Sequence, residues 1–141
     1  MENKYSKGKI YMLQSDLTDE VYIGSTVQRL SKRKGHHKEF YMNNTKPTSA
    51  CKLFDYGVNN VKIVLLEEFP CENSIQLRQR EQYHLDNLRA TKNVLNKYRA
   101  CIDPEILRQK RRERYIKMKT EQPEKYKAMV ERYVEKRRSI N

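Results

Sequence analysis

Two short apolar runs near the start of the chain are separated by a polar loop. Residues 10–13 form the first run and residues 21–24 the second, and the loop between them is rich in Ser, Asp and Thr. Two β-rich runs around such a loop predict an antiparallel hairpin, which we place over residues 9–25. The loop length gives opposed residues an odd sum of numbers, so Tyr11 and Tyr22 are predicted to share one face of the sheet unless a bulge intervenes.

The rest of the first hundred positions predicts helices around a third strand. Residues 61–69 are the most apolar run and predict a buried strand, and apolar spacings of three and four predict helices on both sides of it. We expect these helices over residues 30–42, 48–56 and 74–88, with a polar break at residues 43–47. The predicted fold is therefore α+β, with a small, mainly antiparallel sheet of three strands flanked by helices.

Three local features add detail to this pattern. Residues 1–8 are polar and predict a loosely held arm. Gly24 is expected to end the second strand, either as an ordinary terminal glycine or because something approaches its backbone closely. Gly35 falls inside the first helix, where glycine costs about 1 kcal/mol relative to Ala. A ligand or the sheet lying close to the backbone would explain it.

Charge narrows the class of partner. The 141 residues include 30 Lys and Arg against 18 Asp and Glu, a formal net charge of +12. This surplus predicts a polyanionic partner, most commonly nucleic acid, and the alternative is an ordinary solvated surface.

The sequence has no long apolar run and no signal-like start. We therefore expect no membrane partner and an intracellular, soluble protein in the cytoplasm, nucleus or nucleoid, or in the host cell if the protein is viral.

The chain divides by charge density into a domain, residues 1–100, and a basic helical tail, residues 101–141. The tail carries 13 Lys and Arg against 7 Asp and Glu, the same net +6 as the 17 and 11 of the longer domain. Helices are predicted over residues 104–119, with Asp103 as the cap, and over residues 123–138. The tail has too few large apolar residues for a core of its own. It is either a solvated extension or an arm that grips a duplex, and we expect it to contribute to affinity.

Several polar residues in the domain are candidates for chemistry. Arg33 and His37 are four residues apart and are therefore neighbours on one helix face. Glu81 lies on the apolar stripe of the third predicted helix, and glutamates are rarely buried without a partner. Its partner could be Arg78 or Arg80, or the carboxylate could bind a metal or act in catalysis. The spacing alone leaves these alternatives open.

The ordered set of motifs resembles the GIY-YIG endonuclease family over about residues 9–100. The segments that carry the resemblance are Lys9-Ile10-Tyr11, Tyr22-Ile23-Gly24-Ser25-Thr26, Leu30, Arg33, His37, Arg80-Glu81-Gln82-Tyr83 and Val94-Leu95-Asn96-Lys97. Lys9 replaces the glycine of the first motif, although Gly8 is adjacent. No single segment is specific to the family, but the occurrence of all these segments in this order is.

This resemblance implies a metal-dependent DNA endonuclease that hydrolyses phosphodiester bonds to 5′-phosphate and 3′-hydroxyl ends, of homing or mobile-element type. It implies Mg²⁺ (or Mn²⁺) as cofactor, with Glu81 as the metal ligand. The partner is DNA, bound by a monomer or a transient dimer. The alternative is a non-cleaving DNA-binding module on a nuclease-like fold. The basic side chains expected to contact nucleic acid are Lys32, Arg33, Lys97, Arg99, Arg111, Arg112, Arg114 and Arg132.

The catalytic set implied by the resemblance is Tyr11, Tyr22, Arg33, His37, Glu81 and Asn96. Arg33 would bind the scissile phosphate. Tyr22, supported by Tyr11, would orient or deprotonate water, which requires something to lower a phenol pKa of about 10. His37 would relay a proton or hold Tyr22, and Asn96 would orient the carboxylate or a phosphate. Each of these residues could instead be structural: strand aromatics, a basic helix face, a core histidine or a turn cap.

Overall fold

The computed structural model describes residues 2–44 and 48–139 of the chain. Residues 45–47, within the predicted polar break, lie outside the described residues. The chain forms two compact units, Met1–Cys101 and Ile102–Asn141. Each unit is described by itself below.

The first unit is an α+β domain built on one sheet. Its strands and helices are β1 (Lys9–Ser15), β2 (Glu20–Thr26), α1 (Leu30–Asn43), α2 (Cys51–Phe54), β3 (Val61–Glu68), α3 (Ser74–Leu88) and β4 (Asn93–Val94). The sheet order is β3-β1-β2-β4, antiparallel except for the parallel pair β2–β4. The prediction of three strands is therefore wrong, because β4 is only two residues long and too short to show an alternating pattern.

The hairpin register places the two tyrosines on one face of the sheet. Tyr11 lies opposite Gly24 and Leu13 lies opposite Tyr22, so opposed residues keep a constant odd sum. The predicted shared face is thus confirmed, and the only register shift in β1 occurs in its pairing with β3. Gly24 lies inside β2, which continues to Thr26, and does not end the strand as predicted.

Two hydrophobic cores cover opposite faces of the sheet. One core contains Ile10, Met12, Val21, Ile23, Leu77 and Leu85. The other contains Tyr11, Leu13, Ala50, Leu53, Phe54 and Val61, with Tyr22, Leu30 and Tyr41 packed against it. Successive strand residues point to opposite faces, so α3 covers one face while α1 and α2 cover the other. A site that uses both α1 and α3 must therefore form at an edge of the sheet.

Several local expectations can now be compared with the structure. The third helix begins after Asn73, whose side chain accepts hydrogen bonds from the backbone N–H groups at the helix start, as predicted. The second helix is only α2, shorter than the predicted residues 48–56. The described part of the arm, residues 2–8, is held to the domain and is not loose as predicted, and residue 1 lies outside the described residues. Its Lys4–Lys7 segment forms a 3-10 turn, and the Asn3 Nδ2 group donates to the Glu72 carbonyl at 2.8 Å.

The second unit consists of α4 (Pro104–Glu121) and α5 (Pro123–Arg138). Both helices begin at the prolines where the sequence predicts them, and the Asp103 side chain caps α4. The hydroxyl groups of Tyr115 and Tyr126 lie 2.7 Å apart and link the two helices. No described residue of either helix is buried. Among the described residues, none of the helices combines the length and the apolar character that a membrane crossing needs.

Candidate active site

A chain of three polar groups joins α1 to β1. The Arg33 Nε group donates to the Tyr11 hydroxyl at 2.9 Å, and that hydroxyl lies 2.7 Å from His37 Nε2. The His37 ring also meets the Tyr22 ring edge-on, with centroids 5.5 Å apart. The hydrogen bond expected between His37 and Tyr22 is therefore wrong, because the imidazole holds Tyr11 instead. Two turns of α1 and the first strand thus position these groups together.

The buried imidazole is neutral at physiological pH. Burial lowers the pKa of His37 to about 4, and the charge of Arg33 acts in the same direction. The Tyr11 hydroxyl accepts from Arg33 and shares one hydrogen with Nε2, and the neutral ring has one further hydrogen-bonding nitrogen, Nδ1. Nδ1 is buried without a hydrogen-bond partner within the described part of the chain. His37 therefore fixes the Tyr11 hydroxyl rather than supplying positive charge.

The two phenols are harder to ionise than free tyrosine. Burial raises the pKa of Tyr11, and Arg33 lowers it without cancelling the effect of burial. Burial, followed by the charge of Glu81, also raises the pKa of Tyr22. Arg33 therefore does not bring either phenol pKa below its usual value in the protein alone. A bound cation would act in that direction.

Gly24 gives the Tyr11 ring its space. A Cβ atom built at Gly24 would lie 2.4 Å from the Tyr11 hydroxyl oxygen and 2.5 Å from its Cζ atom. These separations are far below van der Waals contact, so a side chain at this position would displace the phenol. A Cβ atom at Gly35 would meet no atom within 4 Å. Contact with the sheet therefore does not explain Gly35, and a ligand near its backbone stays a prediction.

We expect Gly24→Ala to destabilise the domain and Gly35→Ala to stabilise it. Overpacking against Tyr11 costs about 1–3 kcal/mol, whereas Ala in an exposed helix gains about 1 kcal/mol over Gly. Thermal unfolding followed by circular dichroism should show melting temperatures that move in opposite directions. An unchanged melting temperature for Gly24→Ala would mean that Tyr11 has room to move aside.

Glu81 lies on α3, which covers the face of the sheet opposite to α1. β4 pairs only with Glu20 and Val21, so the edge of β2 beyond them is not covered by a strand. At this edge the Ser25 hydroxyl donates to Glu81 Oε2 at 2.5 Å. Glu81 and Tyr22 line one cavity of about 670 Å³. The candidate site therefore lies at the edge of the sheet, where side chains from both faces meet.

The charge of Glu81 is only partly compensated by the protein. Burial raises the pKa of Glu81, and Ser25 and two nearby guanidinium groups lower it without reversing the shift. Neither arginine suggested by the sequence forms an ion pair with it within the described residues. Arg80 instead binds Glu67 through two hydrogen bonds of 2.7 and 3.0 Å. A desolvated carboxylate that faces a cavity is a suitable oxygen ligand for a hard cation. In the described ranges no cluster of three metal-binding side chains occurs, so water and substrate would complete such a site.

Asn96 holds the β2 backbone and does not contact the carboxylate. Its Oδ1 atom accepts from the Ile23 N–H at 2.9 Å, and its Nδ2 group donates to the Ile23 carbonyl at 2.7 Å. The preceding backbone bond, from the Leu95 N–H to the Val21 carbonyl, measures 2.8 Å. The side-chain amide thus continues the β2–β4 ladder past the end of β4. The expectation that Asn96 orients Glu81 or a phosphate is therefore not met by these contacts.

The basic residues expected at a nucleic-acid interface fall into three groups. Lys97 and Arg99 line the cavity, and Lys32 and Arg33 lie on α1, where Lys32 is exposed. The remaining four are exposed on the second unit: Arg111, Arg112, Arg114 and Arg132. Other residues that line the cavity were not predicted from the sequence. These are Thr48, Ser49, Lys52, Leu95, Tyr98 and Ala100. Most of them lie in irregular segments, where periodicity gives no signal.

Comparison with known proteins defines the class of this fold and site. Residues 7–99 match the family model of the GIY-YIG catalytic domain. The match covers most of the chain, so the protein belongs to the GIY-YIG family. One relative is the uncharacterized protein 019R of Invertebrate iridescent virus 6, which is 30% identical over 104 residues. The match covers 71% of this chain and 37% of that relative, so the chain spans little more than a third of its length.

Two solved structures share the fold. A point mutant of the catalytic domain of intron endonuclease I-TevI has a TM-score of 0.57 and 22% sequence identity, covering 69% of this chain and 99% of that domain. The catalytic domain of homing endonuclease I-TevI has a TM-score of 0.53 and 24% identity, with 65% and 99% covered. At these identities the likeness supports the α+β architecture. It carries no individual residue role to this chain.

Proposed function

We propose that this protein is a metal-dependent DNA endonuclease that cleaves phosphodiester bonds to 5′-phosphate and 3′-hydroxyl ends. Membership of the GIY-YIG family supports a nuclease. The single observation that carries the proposal is the meeting of Glu81 and Tyr22 in one cavity, with Tyr22 packed against the group formed by Tyr11, Arg33 and His37. Phosphodiester hydrolysis needs charge stabilisation and an oriented water, and these residue types can supply both.

Arg33 binds the scissile phosphate in this proposal. Its Nε group is engaged by Tyr11, whereas its terminal Nη groups have no hydrogen-bond partner among residues 2–44 and 48–139. A guanidinium held at one nitrogen presents the other two in a fixed direction, which suits the paired oxygens of a phosphate. Tyr11 and His37 therefore act through Arg33 by fixing where it points.

Glu81 holds the cation, Mg²⁺ or Mn²⁺, with Ser25 orienting its carboxylate. When bound, such an ion stabilises the charge that develops on the leaving 3′ oxygen. Tyr22 orients the attacking water, because this residue lines the cavity and its hydroxyl has no hydrogen-bond partner in the described part of the chain. Its raised pKa keeps the phenol protonated near pH 7, so it orients the water unless a cation lowers that pKa. A bound ion would supply the acidification of the water that the protonated phenol does not.

Incubation of supercoiled plasmid with the protein tests the activity directly. We expect relaxed or linear product with Mg²⁺ and none with EDTA, and ligatable ends that carry 5′-phosphate. Intact plasmid that is nevertheless retarded in a gel would favour the alternative, a non-cleaving DNA-binding module on the same fold. A protein that acts as a monomer should nick first, whereas a transient dimer on DNA should make the break depend steeply on protein concentration.

We also propose a homing or mobile-element role. The names of the two similar structures support it, although those names describe I-TevI and not this chain. Such a nuclease should cut few sites in a random pool of DNA, and sequencing the ends will reveal any shared motif. Ends without a shared sequence or DNA structure would argue against this role.

The second unit is proposed to strengthen DNA binding. We expect truncation after Cys101 to weaken DNA affinity and to flatten its dependence on salt, because exposed Arg and Lys side chains on α4 and α5 release counterions when they meet phosphates. The first unit should keep its melting temperature. Fluorescence anisotropy over a series of salt concentrations measures both quantities.

Two full-length variants distinguish the effect of lost positive charge from the effect of removing the whole second unit. Combined replacement of Arg111, Arg112 and Arg114 by Ala should lower the salt slope by about 0.7–0.9 for each phosphate that the protein no longer neutralises. Glu113→Ala, in the same segment, should leave affinity unchanged or slightly higher. Equal slopes for the full-length protein, the truncation and the triple variant would exclude a contribution of this unit to binding.

A further inference from the structure

One aromatic side chain on the cavity rim has no structural partner. Tyr98 lines the cavity that contains Tyr22 and Glu81, yet 84% of its surface is exposed. It makes no hydrogen bond, ring stack or cation–π contact with any residue of the described ranges. The ring of Tyr98 is therefore large, apolar and open to a ligand.

The segment that carries Tyr98 is fastened on both sides. On the N-terminal side, the side chain of Asn96 binds the backbone of Ile23, and Arg89 donates to the Asn96 carbonyl at 2.9 Å. On the C-terminal side, the Ala100 N–H donates to Gln82 Oε1 at 2.8 Å, and Gln82 is buried. Anchors two residues away in each direction hold the backbone of Tyr98 in place. The ring is therefore presented by a fixed loop, which lowers the entropy lost when a ligand stacks on it.

The residues beside Tyr98 carry positive charge. Lys97 and Arg99 flank it and line the same cavity. Arg99 is partly neutralised by Asp86 at 3.3 Å, whereas no salt bridge of Lys97 is found within the described residues. An exposed aromatic ring between cationic side chains is the usual combination for single-stranded nucleic acid, in which bases stack on the ring while cations meet the backbone. A purely apolar partner would not need these charges.

We propose that Tyr98 is a stacking platform for a nucleobase next to the scissile phosphate. The ligand is an unpaired or extruded base of a DNA strand whose phosphate enters the cavity beside Glu81. The position of that phosphate rests on the proposed nuclease function. The stacking of a base on Tyr98 does not depend on that function. Tyr98 would thereby set the register of the strand and favour DNA in which one base is already unpaired.

The test compares base and backbone as separate ligands. Affinity is measured by anisotropy, without divalent metal, for a short labelled oligothymidylate and for an abasic oligonucleotide with the same number of phosphates. We expect Tyr98→Ala to weaken binding of oligothymidylate by about tenfold, as loss of one stacked base predicts, and binding of the abasic strand by less than about twofold. Tyr98→Phe, which keeps the ring, should bind like the wild type. Tyr83→Ala, which removes an exposed tyrosine of α3 that does not line the cavity, is the matched control.

Several results would overturn the platform. They are an equal loss of affinity for both ligands, no loss for either, failure of Tyr98→Phe to bind like the wild type, or an equal loss in Tyr83→Ala. Because Tyr98 is highly exposed, we expect Tyr98→Ala to keep the wild-type melting temperature, and measuring it will exclude misfolding as the cause of weaker binding. Failure of the nuclease proposal has a different signature. In that case wild-type protein distinguishes oligothymidylate from the abasic strand through Tyr98 but leaves plasmid intact with Mg²⁺.

Discussion

Glu81→Gln is expected to lower Mg²⁺-dependent plasmid cleavage by about a thousandfold or more. The substitution keeps the size of the side chain but removes the carboxylate charge proposed to hold the cation, whose stabilisation of the transition state is worth several kcal/mol. DNA affinity in EDTA should change by less than about twofold, because most affinity comes from Lys and Arg. Single-turnover nicking rates and anisotropy measure the two effects, and Mn²⁺ binding, followed by electron paramagnetic resonance, should be lost in parallel.

The same variant should be no less stable than the wild type. Burial raises the pKa of Glu81, so the folded protein binds this proton more tightly than the unfolded chain does. Stability from this group is therefore present at low pH and is lost as the pH rises. Without metal, Glu81→Gln should melt at the same or a higher temperature near pH 7, with the difference shrinking as the pH falls. Glu68→Gln, an exposed carboxylate at the end of β3, is the control and should cut normally. Full cleavage by Glu81→Gln would remove it from the site.

Arg33→Ala is expected to lower the cleavage rate by about a hundredfold to a thousandfold, the usual effect of removing one donor to a developing negative charge. The variant loses the proposed phosphate contact, and it also removes the Nε group that donates to the Tyr11 hydroxyl. Arg33→Lys should recover little activity, because an ammonium group cannot bind Tyr11 and a phosphate with the same planar geometry. The effect should appear in the rate at saturating DNA.

Lys32→Ala is the matched control for Arg33→Ala. Lys32 is the adjacent cation on α1, and its side chain is exposed. Its loss should weaken DNA binding slightly and reduce the salt slope, with the rate at saturating DNA unchanged. If both variants lost the same small factor and only in affinity, Arg33 would be one more cation on a basic helix face and not a catalytic group.

The elements of the domain follow from local signals in the sequence. The loop between β1 and β2 fixes the hairpin register, which alone places Tyr11 and Tyr22 on one face. Asn73 marks the start of α3, and Asp103 marks the start of α4. These signals depend on residues close together in the chain, so they are readable without the tertiary structure.

The contacts that shape the site are long-range and have no such signal. Ser25 and Glu81 are 56 residues apart, and Asn96 and Ile23 are 73 apart. Nothing in the spacing of α3 indicates that Glu81 bonds Ser25, or that it lines one cavity with Tyr22, whose side chain lies on the other face of the sheet. Asn96 shows the same limit: its side chain acts as a peptide group beside a strand, a role that depends entirely on where β4 ends. Residue types were readable from the sequence, but their partners were not.

Because the site lies at the edge of the sheet, its residues come together only when helices have packed on both faces of the sheet. The phenols and the guanidinium depend on the packing of α1 and α2, whereas the carboxylate depends on the packing of α3. A folding intermediate in which helices have packed on only one face of the sheet therefore has an incomplete set of site residues. We expect such an intermediate to have no cleavage activity. The proposed nuclease would therefore cut DNA only after both faces of its sheet have been packed.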